Sequence, residues 1–152
     1  MPWSENEINE RIAQYKAIEN KVSEISKNIP NEKRDAWFQL IEYPVKAAAA
    51  MNYKHLYGQL ARHGKADWQL SDAAYNEIVK LTEKYNSLAN GKWRLMMDFR
   101  PRRLAVFDKI PKTLATSAMV SEPVIIKKWN GADYDAFIGE KPVLHGLGYE
   151  RK

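Results

Sequence analysis

The sequence predicts a mainly α fold: an antiparallel up-down bundle of three long helices, the second kinked at Pro44, followed by an extended C-terminal arm and one or two short strands. Two observations carry this. Apolar residues recur at steps of three and four as far as Leu88, and the pattern stops at Asn90-Gly91. Beyond that point Pro101, Pro111, Pro123 and Pro142 punctuate the chain and no helical period returns. The division that follows is a bundle over residues 1–91, an arm packed on it over 92–118, and the start of a further unit or a tail over 119–152.

Ser4 followed three residues later by Glu7 is a capping-box pattern. Ile8, Ile12, Tyr15, Val22, Ile25 and Ile29 then mark one apolar stripe on a helix that must end before Pro30. Asn31 is a candidate cap for the second helix, whose apolar positions are Trp37, Ile41, Val45, Ala48, Met51, His55, Leu56 and Leu60. Pro44 lies inside that pattern and removes the amide that would bond the Leu40 carbonyl, so a kink is expected near Glu42 to Pro44. Gly64 closes this helix, and Asp67 or Ser71 starts the third. Its stripe is Ala74, Ile78, Leu81, Tyr85 and Leu88. Short connections make consecutive helices antiparallel neighbours.

After Gly91 the chain reads as extended, with Leu104 to Phe107 apolar, Val124-Ile125-Ile126 strand-like and Asn130-Gly131 a turn signal. Trp93 and Met96-Met97 are the expected anchors of the arm on the bundle.

Bulk composition excludes several classes. The 152 residues suffice for one core of ordinary size, and there is no cysteine for disulfide, thiolate or cysteine-zinc chemistry. No run approaches the roughly 20 apolar residues of a membrane span, and Met1 to Glu7 has no signal-peptide character. Lysine and arginine total 24 against 19 acids, a net charge of +5. The excess is local, since Lys92 to Arg103 holds five bases and one acid, Asp98.

Catalytic and metal constellations are weak. His55 and His63 lie eight residues apart, about 12 Å along a helix, too far for a shared metal. His145 falls in the C-terminal stretch. Most acids occupy polar helix faces, Glu42 beside the kink being the exception. No phosphate loop or nucleophile elbow is present, so no catalytic residue, metal or cofactor is expected. The basic, aromatic stretch of Lys92, Trp93, Arg94, Phe99, Arg100, Arg102 and Arg103 invites comparison with single-strand nucleic-acid binders. Asp98 in its midst and the lack of a recognition module argue against nucleic acid. The bland reading is a clasp, with arginines pairing to helix carbonyls and acids. The functional one is contact of Arg94, Arg100, Arg102 and Arg103 with an acidic ligand or partner.

Several segments resemble glycoside hydrolase family 115. Phe38 to Asn52 is similar to the family's F-x-x-L-x-x-Y-P-V-x-A-x-x-x-M-N helix, matched by Tyr43, Pro44, Met51 and Asn52. Asn90-Gly91-Lys92-Trp93 with Met96-Met97 is similar to its N-G-K-W-x-x-M-M motif. Arg100 to Phe107 resembles the segment that follows, with Ala105 in place of the usual proline, and His145 to Tyr149 resembles the start of its C-terminal β-sandwich.

The resemblance implies a fragment of a bacterial xylan α-glucuronidase, an inverting enzyme that removes (4-O-methyl-)glucuronic acid from xylan. The piece would be a non-catalytic helical accessory domain plus the truncated start of the sandwich, with the catalytic carboxylates elsewhere in the polypeptide. It would pack on other domains of that polypeptide and dimerise through the bundle. The parent enzyme would meet acidic xylan side chains in the periplasm or outside the cell. The alternative is a free-standing helical interaction module that binds an acidic partner through its basic arm.

Overall fold

A computed structural model describes residues 3–119. The order of long helices follows the expectation: α1 (Glu5–Ser26), a short helix α2 (Arg34–Trp37) running into a π-helical turn (Phe38–Glu42), α3 (Tyr43–Arg62) and α4 (Trp68–Gly91). Two single 3₁₀ turns follow, Pro101–Arg103 and Ala105–Phe107, and no strand occurs among the described residues. The strands and sandwich expected over 119–152, and His145, lie outside the described residues apart from Met119.

The helix ends are built as their sequences dictate. The Ser4 hydroxyl accepts from the Glu7 amide while the Glu7 carboxylate accepts from the Ser4 amide, completing the capping box. Asp67 is the cap of α4, accepting from the Gln69 amide at 2.7 Å. At the end of α3, Gly64 takes φ +69°, the Lys65 amide reaches the Leu60 carbonyl and the Gly64 amide reaches Ala61, which is a Schellman close. Asn31 does not cap as expected. It opens a 3₁₀ turn, Asn31–Lys33, that has no side-chain cap bond.

Pro44 distorts its helix through a specific device. The Tyr43 amide bonds the Phe38 carbonyl, five residues back, so the turn before the proline is widened by one residue. Pro44 follows directly on the widened turn, so its missing amide interrupts the ladder where it is already irregular. The extra residue turns the later half of the helix by about 100° relative to the earlier half.

The expected apolar stripe of the second helix is therefore only partly right. Phe38 is buried in place of Trp37, and Ile41, Ala48 and His55 face outward. Further along, α3 is buried on two sides because it packs against both α1 and α4. Leu56 and Leu60 join Ile8 and Ile12 of α1 in one apolar core. Lys54 and Gly58 face α4 and the chain beyond it: the Ser71 hydroxyl of α4 donates to the Lys54 carbonyl at 2.7 Å, and Ile110 lies over Gly58. On α1, Ile25 is exposed, which shortens its stripe to Ile8, Ile12 and Val22 with half-buried Tyr15 and Ile29.

α4 keeps regular helix to Ser87, after which Leu88 is extended and Ala89, Asn90 and Gly91 all take positive φ. The left-handed exit read from Asn90-Gly91 is thus present and one residue longer than expected.

Candidate functional site

The chain after α4 crosses α3 and α4, and polar contacts hold it there. The strongest is Lys54, whose side chain has no exposed surface. Its ammonium donates to the carbonyls of Val106 at 2.6 Å and Asp108 at 2.8 Å. Burial pulls its pKa below the ordinary lysine value, and the Asp108 carboxylate opposes that pull. Nothing in the periodicity pointed to Lys54, because a lysine within an apolar pattern reads as solvated.

Asn86 makes a second tie. Its amide donates to the Met97 carbonyl at 2.9 Å and accepts from the Met97 amide at 3.0 Å, so one side chain mimics a strand partner. Phe99 then meets Tyr75 edge to face, Lys112 pairs with Asp72, and the Ala115 amide donates to the Arg62 carbonyl. The residues expected as anchors behave differently. Met96 is 58% exposed and Leu95 84%, while Trp93 is half-buried beside the Lys92 ammonium. What α4 grips by hydrogen bonds is the main chain of Met97, whose side chain is half-buried.

The four arginines separate. Arg100 is held within its own segment by the Asp108 carboxylate, Nη2 lying 2.7 Å from Oδ2. It therefore pairs with neither a helix carbonyl nor an acid on the helices. Arg94, Arg102 and Arg103 are exposed, and Arg102 and Arg103 both take φ near +50° (+52° and +53°). Two consecutive non-glycine residues in that region store backbone strain. Of the motif residues, Tyr43 stacks obliquely on Tyr85 with ring centres 4.9 Å apart, Asn52 donates to the Ala48 carbonyl, and Met51 is half-buried. Glu42, the acid beside the expected kink, is paired with Lys46 on the next turn.

Among the described residues a groove lies between the end of α3 and residues 110–117. His55, Gln59, Arg62 and His63 line one wall, Ile110 and residues 113–117 the other, around a volume of about 520 Å³. It continues past Gly64 and Lys65 into an adjoining recess bounded by Met119. The two histidines thus share a groove although their spacing forbids a common metal, and among the described residues no three histidine or acidic side chains converge. No described helix is long and apolar enough to cross a membrane.

Comparison with solved structures bears out the resemblance to glycoside hydrolase family 115. BtGH115A, described as a family GH115 4-O-methyl-α-glucuronidase with specificity for decorated arabinogalactans, matches at 48% identity with a TM-score of 0.80. The match takes in 88% of this chain and only 18% of that protein, so the chain corresponds to a fragment of it. No protein-family model matches the chain, and no curated protein does.

Proposed function

We propose that this chain is a non-catalytic helical accessory segment of an α-glucuronidase similar to family 115 enzymes. The carrying observation is the match itself: nearly half of the residues are identical over most of this chain, yet the aligned stretch is under a fifth of the larger enzyme. The parent activity would be hydrolysis of (4-O-methyl-)glucuronic acid from a plant polysaccharide. Xylan and uronide-decorated arabinogalactan both present that group, and such polymers are met in the periplasm or outside the cell. Residues 92–118 act in this reading as an arm clasped on the helices, supported by the Lys54 and Asn86 ties. Arg94, Arg102 and Arg103, all exposed and the last two on a strained turn, are the arginines of the arm available to an acidic sugar. Leu40 and Ile41, exposed on the π turn, suit packing against the rest of the polypeptide or a second copy.

The test is release of 4-O-methylglucuronic acid from aldouronic oligosaccharides by this chain and by the longer parent protein. The chain is expected to give none and the parent to turn over. Turnover by the chain that disappears in Glu42→Gln would overturn the reading.

A further inference from the structure

The groove at the end of α3 has an electrostatic character that its volume alone does not convey. Its lining carries the Arg62 guanidinium, two imidazoles, the Gln59 amide and the hydroxyls of Thr113, Thr116 and Ser117, and it holds no aspartate or glutamate. Several cations elsewhere are answered by acids. Lys65 pairs with Glu5, Lys112 with Asp72, and Arg100 with Asp108. Arg62 differs: its Nε is sealed from solvent and has no hydrogen-bond partner among the described residues, and no described carboxylate lies within ion-pair range. Among the described residues the Arg62 guanidinium thus lines the groove without an acidic partner, the group it ordinarily takes.

The surroundings bear on what would fit there. His55 sits beside Lys54 and Arg62, whose charges, with burial, keep its imidazole below the ordinary pKa. Burial is the larger cause, and the rest of that lowering is positive potential from Lys54 and Arg62 at the groove wall. A planar anion matches the guanidinium fork, while hydroxyls and an amide around it match a polyhydroxylated body. From these observations we infer that the groove between Arg62 and residues 113–117 is a binding site for a carboxylate, held by the Arg62 guanidinium and flanked by Gln59 and His63. It is separate from the Arg102-Arg103 turn and stands whether or not the parent enzyme acts on uronides. The carboxylate has two possible sources, a free sugar acid or an acidic side chain from elsewhere in a longer polypeptide.

The test is a nuclear magnetic resonance titration of the full 152-residue chain with sodium glucuronate, sodium acetate, neutral glucose, and sodium chloride at matched ionic strength. Glucuronate or acetate is expected to shift the Ala115 and Thr116 amides saturably and to raise the pKa of His55, because a bound anion favours imidazolium. Glucose and chloride should do neither. Glucuronate binding tighter than acetate by about tenfold or more assigns the site to a sugar acid, since hydroxyl contacts then add to the charge-assisted pair. Equal binding assigns it to an acidic side chain.

Arg62→Gln should abolish saturation, and Arg62→Lys should retain it more weakly, with the dispersion of the remaining amides reporting that each variant is folded. The proposal is overturned if no carboxylate gives a saturable shift, if chloride reproduces the shift, or if folded Arg62→Gln binds as the wild type does.

Discussion

His55 lies next in sequence to a fully buried lysine and about two turns before Arg62, and its titration reports that neighbourhood. Burial first, then the charges of Lys54 and Arg62, hold its pKa below the ordinary 6.5, and the Val106 backbone only partly offsets them. The folded chain therefore takes up its proton at lower pH than the unfolded chain does. Between the folded value and 6.5 the unfolded state binds more protons, so stability is present above that window and falls as pH drops through it. Urea midpoints measured as the pH falls below 7 should decline for this contribution, and His55→Gln should flatten the decline. An unchanged slope in the variant would place the acid sensitivity elsewhere. Tyr53 is the alkaline counterpart: its hydroxyl donates to Glu19 at 2.6 Å, and burial followed by that bond pushes its pKa well up. Neither environment was legible from the sequence, where His55 read as a core position and Tyr53 as nothing in particular. Both depend on which elements meet, and residue spacing within one helix does not contain that.

Between elements, the joint that matters most is α3 with the chain beyond α4. Lys54 supplies two charge-assisted bonds to main-chain carbonyls fifty residues away, and Gly58, one turn on, leaves the space that Ile110 fills, a β-carbon there lying 3.0 Å from Ile110 Cγ2. Lys54→Met keeps the length of the stem and removes the donors. It should cost about 1–3 kcal/mol, the range for leaving buried acceptors unpaired. Limited proteolysis should then cut first within residues 92–119, while helical circular dichroism is retained. A loss under about 0.5 kcal/mol with no new cleavage would mean that water satisfies those carbonyls. At this scale the sequence was a good guide to beginnings and endings: the Ser4-Glu7 box, the Asp67 cap, Gly64 and Asn90-Gly91 all act locally, so their meaning survives without tertiary context. It was a poor guide to how the arm is attached. Trp93, Met96 and the arginines drew notice by their chemistry, whereas Asn86 and Lys54, which make the ties, sit unremarked on helices.

For the molecule as a whole, α3 is the shared partner: α1 and α4 each pack on it and share few contacts with one another. The apolar core identified by mutual contact joins α1 to α3 near Ile8, Ile12, Leu56 and Leu60. Towards its C-terminal half α1 is held more thinly, by Val22 and the Tyr53-Glu19 bond, with Ile18 and Ile25 exposed. Native-state hydrogen exchange should therefore show the amides of residues 18–26 opening at lower free energy than those of Leu56 to Ala61, as a sub-global unit. Equal protection along both stretches would show that the helices open only together. Helix number and order were readable because amphipathic periodicity is strong over long segments. The central place of α3 was not, since a helix buried on two sides shows no single clean stripe.

The π turn before Pro44 also has a consequence for how the sequence can vary. It is a one-residue insertion that the helix has absorbed without breaking, so the residues before and after it are written in different reading frames of the same 3.6-residue repeat. A single deletion within residues 38–42 would bring the two frames into step, turning Phe38 and α2 away from their present neighbours while α3 stayed where it is. Length at this point acts as a steering angle, a property that ordinary substitution cannot supply.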